Sequence, residues 1–407
     1  MNSKGYLLLL LLAVNFVNYM DRQVISGVSE LLKESFNLLD SELGIIATAF
    51  MLSYSLLSLP AGILADRWNP ARVAAVGVFL WSLATIASAT ATGFTSLFGW
   101  RALTGVGEAA FVCTAPTIIG WIYSDAERSQ KLSIFNLGLP FGAAAGVMLG
   151  SKLGEAFGWQ YAFVTAGIPG IFLAYLLWRL PIDRYRPKDL SPMAKPTTRK
   201  LSFSFLSNPV YLLVVLGYAG ISWAFGSISL WMPSYFTREW GLKLSTAGEY
   251  TGYIIIAGGL LGTVVGGYIA DAWHKRSSRG RAYTLFIGCA LAGLSVWIGM
   301  AWHSIFFFFL ACFFIMWHMG VAQAMILQAV PQPLWSTATA TAILLMHLFG
   351  DIPGPIFTGY ISDHFSLTVA IACLPLAVLI AAAAFWLAAK QTTEQSNRRV
   401  NNHEIYS

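Results

Sequence analysis

The sequence predicts an all-α membrane protein in which twelve transmembrane helices form two six-helix bundles. Its residues are 57% hydrophobic and only 11% charged, whereas soluble domains carry about 25% charged residues. Apolar runs of about 20 residues recur along the chain, the length that a bilayer-spanning helix needs. A basic stretch that contains several prolines divides these runs six and six. This composition excludes a water-soluble globular protein and, for nearly all of the chain, intrinsic disorder.

Twelve runs are predicted to cross the membrane as helices, because they lack the two-residue alternation of barrel strands. In chain order, spans 1 to 12 cover residues 5–27, 42–65, 73–92, 95–123, 129–151, 160–180, 209–232, 247–270, 283–301, 304–328, 336–360 and 366–389. Span 1 is too long for the apolar region of a signal peptide, and no small-residue cleavage site follows it. We therefore predict that it is the first membrane helix.

The basic residues orient the chain in the membrane. If the N-terminus is inside, nineteen of the 25 Lys and Arg residues lie on the inner side and two lie within spans. The outer side then holds only Lys33, Lys152, Arg238 and Lys243. Because cytoplasmic loops carry an excess of Lys and Arg, we predict that both termini are cytoplasmic. The short loops favour a bacterial inner membrane.

Two similar halves are predicted from the loop pattern. Residues 1–180 form an N-terminal six-helix bundle, 181–208 a cytoplasmic linker, 209–390 a C-terminal six-helix bundle and 391–407 a polar cytoplasmic tail. A glycine, an acid at the helix end and a basic loop follow the second span of each half. These residues are Gly62, Asp66, Arg67 and Arg72, then Gly267, Asp271, Lys275 and Arg276. Two parallel six-helix halves are one repeat plan of secondary transporters.

The acids in these repeated loops are candidates for a cytoplasmic gate. Asp66 and Asp271 each lie at the inner end of a helix beside basic residues. Asp66 can face Arg67 or Arg72, or the positive end of a neighbouring helix. We predict that Asp66, Arg67, Arg72 and Asp271 stabilise a state that is closed on the cytoplasmic side.

Four ionisable residues lie within spans 1 and 4. Each costs at least about 2.5–3.5 kcal/mol near the bilayer centre, so they must face a cavity or one another. Asp21 and Arg22 lie about seven residues from the predicted outer end of span 1, a depth of about 10 Å. Arg101 is predicted at the same depth and is a candidate partner of Asp21. Glu108 follows two turns later on the same face of span 4.

Two interpretations of this charged group remain open: an ion pair that locks span 1 to span 4, or a proton-coupling site. Glu108 has no positive neighbour within one turn on its own helix, so we expect it to be the main proton carrier. Asp21 is expected to be coupled to Glu108 through Arg101, since an anionic substrate that draws Arg101 away would leave Asp21 free to take a proton. Arg22 and Arg101 are the candidate substrate-binding arginines.

The interior of the second bundle is nearly free of charge. Its notable polar residues are His318 in span 10 and the pair His347 and Asp351 in span 11. We take these three as its candidate substrate-binding residues. His347 and Asp351 are four residues apart and share a helix face. Pro353 and Pro355 follow and should kink the helix, which suggests a moving gate. The alternative is a His–Asp pair that only holds span 11 in place.

Glycines recur every four residues along span 5. They are Gly138, Gly142, Gly146 and Gly150. Such a stripe of small residues lets helices approach closely. We interpret it as a smooth contact that permits rocking motion, with tight packing and no motion as the alternative.

Several motifs together resemble those of the major facilitator superfamily, over about residues 1–390. The loop 62–72 is similar to the signature loop of that superfamily, except that Asn69 stands where Gly is usual. Within the superfamily the chain is most similar to the Spinster-type transporters. That likeness rests on the stretches Asn18-Tyr19-Met20-Asp21-Arg22, Arg101 to Ala109, Ala115-Pro116-Thr117-Ile118-Ile119, Pro140-Phe141-Gly142, His347 to Asp351 and Gly359 to Asp363.

The resemblance implies the major facilitator fold, in which spans 5 and 8 meet across the two halves. It also implies transport of lysophospholipids or sphingoid phosphates in animals, with less certain substrates in bacteria. Asp21, Arg22 and Glu108 match positions that this family ties to proton and substrate handling.

The function we predict is a proton-coupled secondary active transporter that works by alternating access on an amphipathic or lipid-like anion. A small organic anion:proton symporter is one alternative, and a transporter-shaped membrane sensor is another. No Walker loop, no nucleophile and base pair and no metal-ligand spacing is evident in the sequence. We therefore expect no enzyme activity, cofactor, metal or nucleic-acid partner. The expected partners are the substrate, protons and membrane lipids, and we expect a monomer.

Overall fold

The structure is a computed structural model that describes residues 4–185, 204–331 and 334–404. In these ranges the regular structure is entirely helical. Twelve helical segments there are long and apolar enough to cross a membrane, which confirms the predicted fold class. Two compact units divide the chain. The first comprises Met1–Arg199 and Ser229–Gly252, and the second comprises Lys200–Ile228 and Tyr253–Ser407.

The first half of the chain contributes seven α-helices to these segments. They are α1 (Lys4–Phe36), α2 (Asp40–Arg67), α3 (Pro70–Ser88), α4 (Phe94–Ile122), α5 (Asp125–Asn136), α6 (Gly138–Phe157) and α7 (Trp159–Trp178). Span 5 therefore comprises the end of α5 and the whole of α6. Asn69, at the departure from the signature loop, caps α3 by accepting hydrogen bonds from the backbone N–H groups of Ala71 and Arg72. An asparagine side chain suits this N-cap role.

The second half contributes eight α-helices, two of which belong to each of spans 10 and 11. They are α8 (Pro209–Trp240), α9 (Leu244–His274), α10 (Gly280–Ala301), α11 (Ile305–Ile315), α12 (Val321–Ala329), α13 (Trp335–Met346), α14 (Pro353–His364) and α15 (Leu367–Glu404). The last helix thus continues past residue 390 into the predicted tail. Most of the predicted linker, residues 186–203, lies outside the described residues.

The length of α1 changes the predicted depth of its charges. The helix continues nine residues beyond the predicted end of span 1, because Val28 and Leu32 bury a continuing apolar face. Asp21 and Arg22 consequently lie at the middle of the helix, and their predicted position seven residues from its end is wrong. Glu108 lies at the middle of α4. Both acids therefore lie at the middle of long, predominantly apolar helices.

The glycine stripe of α6 packs against α1. A Cβ atom added to Gly142 or Gly146 would collide with the carbonyl oxygens of Phe16 and Met20 on α1, and Gly138 and Gly150 also meet α1 backbone. The stripe therefore faces α1 and not span 8, the span that meets span 5 in the major facilitator fold. Its small residues bring together two backbones within the first unit, and this contact fixes the segment of α1 that carries Asp21.

A different face of α6 meets the beginning of α9. Gly248 lies against Ser151, and Gly252 lies against Met148, with both pairs inside the first unit. The glycines of this contact therefore belong to α9 and not to the stripe of α6. The sequence contains both sets of glycines, and the rotation of each helix decides which set faces which neighbour.

Span 11 is interrupted one turn before its prolines. Residues His347–Asp351 form a π-helical turn between α13 and α14, in which the backbone N–H of Ile352 donates to the carbonyl oxygen of His347 at 3.1 Å. Pro353 has no N–H with which to continue the α-helical pattern. The predicted disturbance of the helix is present, and the wider turn places it at the His347–Asp351 pair itself.

We expect Gly146→Ala to destabilise the protein by about 1–3 kcal/mol, because the new methyl group forces apart two closely packed backbones. The unfolding temperature of the purified protein, measured by scanning fluorimetry, checks this. Gly267→Ala is the matched control, since no atom lies within 4 Å of the added Cβ there. Equal unfolding temperatures for the two variants would show that the α1–α6 contact tolerates a wider spacing.

Candidate functional site

Four charged side chains meet in the interior of the first unit. The fold brings Asp21 and Arg22 of α1 against Arg101 and Glu108 of α4. The side chains of Asp21, Arg101 and Glu108 are fully buried, whereas Arg22 is 12% exposed. All four predicted residues of the coupling site are therefore neighbours in one cluster, in which two positive and two negative charges balance.

The first ion pair of the cluster joins Arg101 to Asp21. Nη1 of Arg101 donates to Oδ1 of Asp21 at 3.0 Å, so the predicted pairing is confirmed. The hydroxyl of Thr85 on α3 donates to Oδ2 of the same carboxylate. This pair therefore ties together three helices, and no part of it is reachable by solvent. Thr85 escaped sequence analysis because a threonine in an apolar run gives no signal of its own.

The second ion pair joins Arg22 to Glu108, the acid that has no positive neighbour within one turn on its own helix. Nε of Arg22 donates to Oε2 of Glu108 at 2.7 Å. Nη2 of the arginine and Oε1 of the glutamate have no hydrogen-bond partner among the described residues. The two groups thus share one hydrogen bond where an arginine and a carboxylate can make two. The Arg101–Asp21 pair also shares one hydrogen bond, and Nε and Nη2 of Arg101 have no partner among the described residues. The Arg22–Glu108 pair differs from it in having a partly exposed member.

The charges of the Arg22–Glu108 pair depend on each other for compensation. Removing one member of a buried ion pair costs about 3–5 kcal/mol, because the remaining charge is left without compensation. A proton on Glu108 removes the negative charge that balances Arg22, and an anion that approaches Arg22 restores the balance. The geometry can therefore exchange a carboxylate for an anionic ligand while the net charge of the site stays unchanged.

The second unit contains the other candidate polar residues. Nδ1 of His347 lies 3.0 Å from both carboxylate oxygens of Asp351, which confirms the predicted pair. His318 is engaged elsewhere: its Nδ1 lies 2.7 Å from the carbonyl oxygen of Ile315, and its ring is 5.4 Å from that of Tyr218. The structure shows no contact between His318 and the His347–Asp351 pair in the described residues.

The predicted gate residues are only partly described. Asp271 accepts a hydrogen bond from Nη2 of Arg281, at the start of α10, at 2.7 Å. The guanidinium of Arg72 lies 5.7 Å from the ring centroid of Trp178. The side chains of Asp66 and Arg67 lie outside the described residues. Asp271 therefore has a basic partner as predicted, although that partner comes from the following helix.

A second group of ion pairs, which we call the outer clasp, consists of Glu30, Lys33, Asp40 and Arg238. Arg238 on α8 donates to both carboxylate oxygens of Glu30 on α1, at 2.8–3.1 Å. It also donates to Asp40 at 2.7 and 2.9 Å, and Lys33 donates to Asp40 at 2.6 Å. Sequence analysis missed this cluster, although Lys33 and Arg238 were exceptions to the positive-inside pattern.

Further hydrogen bonds hold the segment Ser229–Gly252 to the rest of the first unit. Ser26 of α1 donates to the carbonyl oxygen of Ser229 at 2.7 Å, and Glu155 of α6 accepts from the backbone N–H of Ser245 at 2.7 Å. Lys152 of α6 pairs with Glu249 at 2.6 Å. All these contacts lie on the predicted outer side of the four-charge cluster. They bind the segment to α1 and α6.

Comparisons with known proteins agree with this architecture. The family profile described as "Major Facilitator Superfamily" matches residues 11–279. The human protein spinster homolog 1 is 31% identical to the chain over 382 residues, which cover 86% of the chain and 71% of the human protein. The zebrafish "Sphingosine-1-phosphate transporter SPNS2" is 27% identical over 380 residues, which cover 86% of the chain and 74% of that protein.

Solved structures show the same fold at lower sequence identity. A bacterial homolog of the human lysosomal transporter Spinster, in an inward-facing and occupied conformation, superposes with a TM-score of 0.81 at 21% identity. The match covers 95% of this chain and 97% of that chain. A D-xylose-proton symporter superposes with a TM-score of 0.74 at 17% identity, over 94% of this chain and 98% of the symporter.

We expect Arg238→Gln to open the outer clasp, because it removes the arginine that bonds both Glu30 and Asp40 and leaves Lys33 as the cation beside Asp40. A cysteine at Ser229, which is buried, reports this opening when the four native cysteines are replaced by alanine. Its modification by a membrane-impermeant maleimide should be at least about tenfold faster in Arg238→Gln, since each hydrogen bond to a charged group is worth about 1.5–3 kcal/mol.

The control for this measurement is Lys243→Gln, which removes an exposed positive charge on the same predicted side. The control should be labelled at the same rate as the protein that carries the cysteine at position 229 and no charge substitution. If Arg238→Gln labels no faster than Lys243→Gln, the ion pairs of the outer clasp do not hold this side closed.

Proposed function

The chain belongs to the Spinster family of the major facilitator superfamily, and we propose that it is a proton-coupled secondary active transporter of an amphipathic anion. It works by alternating access in a membrane that it crosses twelve times, with both termini in the cytoplasm. The observation that carries the proposal is the partly exposed, singly bonded Arg22–Glu108 pair at the centre of the first unit.

Coupling proceeds through Arg22 and Glu108. An anionic head group that reaches the Arg22 side chain, which is 12% exposed, competes with Glu108 for the guanidinium, whose Nη2 is buried without a hydrogen-bond partner among the described residues. Glu108 then has no positive partner in a buried site, where the charged form of a carboxyl group is costly, and it takes a proton. Binding of the anion and binding of the proton therefore support each other. When the anion leaves, Arg22 returns to Glu108 and the proton is released.

The Arg101–Asp21 pair has a different role in this proposal. It is fully buried and is secured by Thr85, so a substrate reaches it less readily than it reaches Arg22. The sequence favoured a mechanism in which the substrate draws Arg101 away from Asp21. The geometry favours Arg22 as the arginine that meets the substrate, and Asp21 and Arg101 as the pair that positions α1 against α4.

The proposed substrate is an amphipathic phosphate or carboxylate with a lipid-like tail. The zebrafish relative named above is a sphingosine-1-phosphate transporter, and that cargo is a single-chain lipid with an anionic head. The positive charge of Arg22, whose side chain is partly exposed in the first unit, can pair with one such anionic head group. Within the second unit, the proposed substrate-binding residues are His347 and Asp351, which form the half-buried pair in the π-helical turn of span 11.

We expect Glu108→Gln to keep exchange transport and to lose accumulation driven by a pH gradient. Glutamine resembles the protonated acid, so it permits anion binding and carries no exchangeable proton. The measurement is uptake of radiolabelled sphingosine-1-phosphate and of lysophosphatidate into proteoliposomes, with and without a pH gradient. Glu34→Gln, at an exposed acid of α1, is the matched control and should behave as the unmodified protein.

Gradient-driven accumulation by Glu108→Gln would overturn the assignment of the proton to Glu108. If neither lipid is transported and small organic anions are taken up under a pH gradient, the protein is instead an organic anion symporter. Binding without transport of either class would indicate a sensor.

Asp21→Asn is expected to impair both exchange and stability, because it leaves the buried charge of Arg101 without its carboxylate. The loss of a partner in a buried pair is worth about 3–5 kcal/mol, which lowers the unfolding temperature. Scanning fluorimetry and exchange transport measured together check this. An Asp21→Asn protein with unchanged stability and unchanged exchange would contradict the positioning role.

A further inference from the structure

Three aromatic rings surround the guanidinium of Arg22. Its Cζ atom lies 5.0 Å from the ring centroid of Tyr19, 5.1 Å from that of Phe50 and 5.2 Å from that of Tyr54. A cation within about 6 Å of a ring face is attracted by the negative face of the ring. Arg22 therefore has two kinds of support: the carboxylate of Glu108 and an aromatic cage, which we define as Tyr19, Phe50 and Tyr54.

The fold fixes the position of the central ring of this cage. Phe50 and Tyr54 are four residues apart on α2 and so share a helix face. Gly105 of α4 lies against the backbone of Phe50, and a Cβ atom there would collide with the carbonyl oxygen of Phe50. Phe50 is only 3% exposed. The close approach of α2 and α4 therefore determines where this ring lies.

Phe50 also contacts the second arginine of the cluster. The Cζ atom of Arg101 lies 5.4 Å from the centroid of the Phe50 ring. One ring is thus shared by the guanidinium groups of both ion pairs. Two positive groups repel each other in a buried site, and a polarisable ring that contacts both of them offsets part of this repulsion.

The cage supports Arg22 without occupying its hydrogen-bond donors. A ring face attracts the whole guanidinium group, whereas the N–H groups remain in the plane of that group. Nε–H and the adjacent N–H of Nη2 form one edge of the guanidinium, and this edge can bind two oxygens of one anion side by side. Glu108 uses only Nε, and Nη2 has no hydrogen-bond partner among the described residues.

We propose that Tyr19, Phe50 and Tyr54 are positioning residues that hold the Arg22 guanidinium in place when Glu108 is neutral, so that its Nε–Nη2 edge receives the two-oxygen anionic head of the substrate. This inference rests on the proposed function. In the absence of the cage, a released Arg22 side chain is free to change rotamer, and the anion loses its receptor at the moment of coupling. The cage keeps the receptor formed in both protonation states.

The position of Arg22 is measured without any substrate by ¹⁵N-arginine NMR of the full-length protein in nanodiscs. Arg22→Lys assigns the Nε–H signal of Arg22. Ring currents of three rings shift protons near their faces away from the position of free arginine. We expect the shifted signal to persist in Glu108→Gln, and to move to the free-arginine position when Phe50→Leu is added.

Binding of a head group is measured with lysophosphatidate and, as a neutral probe with the same acyl chain, monoacylglycerol. Phe50→Leu or Tyr54→Leu should weaken lysophosphatidate binding about two- to thirty-fold, from the usual strength of one cation–π contact. Binding of monoacylglycerol should stay unchanged. Tyr54→Phe keeps the ring face and should retain wild-type affinity, which separates the contribution of the ring from that of the hydroxyl group.

Phe172→Leu is the matched control, because it makes the same change at a ring that is 63% exposed on α7. It should alter neither the Arg22 signal nor binding of either lipid. If Arg22 moves to the free-arginine position in Glu108→Gln alone, the cage does not hold it and the inference is overturned. Equal weakening of both lipids by Phe50→Leu overturns it as well.

These outcomes are separable from the fate of the proposed function. Suppose that the unmodified protein shows no proton-driven transport while the shifted Arg22 signal persists in Glu108→Gln. That result would refute the transport mechanism and leave the aromatic cage supported. If transport is proton-driven and the Arg22 signal moves to the free-arginine position in Glu108→Gln, the proposed function stands and the aromatic cage is refuted.

Discussion

The cost of placing four charges within two membrane helices is the constraint on which the rest of the first unit depends. An uncompensated charge in that position costs several kcal/mol, so Asp21, Arg22, Arg101 and Glu108 must meet one another. They form two crossed pairs whose charges cancel. The pairs differ in one respect that matters for function: the Arg101–Asp21 pair is sealed, whereas the Arg22 side chain keeps an exposed fraction.

Close helix packing makes this compensation possible. The glycine stripe of α6 brings its backbone onto α1, and Gly105 brings α4 onto α2 at Phe50. A larger residue at any of these positions separates helices that must hold ion pairs at 2.7–3.0 Å. The glycines therefore contribute to the site by allowing short distances between helix backbones. The ring of Phe50 reaches both arginines because α2 packs closely against α4.

Much of the fold and part of the site could be predicted from residue type and spacing. Hydropathy predicts the twelve spans, and the spacing of four residues predicts the His347–Asp351 pair. The meeting of Asp21 with Arg101 was also predicted, although the depth assigned to Asp21 was wrong because α1 is longer than the predicted span. The partner of Glu108 could not be predicted, because a charge in the middle of α4 can face several neighbours. Thr85, the aromatic cage and the outer clasp were missed for the same reason: each joins residues from different helices.

The sequence by itself determined the class of protein, the number of spans and the fact that charges lie inside them. These properties depend on local composition, since transfer of each segment into lipid is decided by its own residues. Only the tertiary structure decided which acid meets which arginine and which face of α6 carries the contact with α1. Those outcomes depend on the rotation and axial shift of each helix against its neighbours. A helix rotated by one residue, about 100°, would present a different set of side chains while its hydropathy stayed the same.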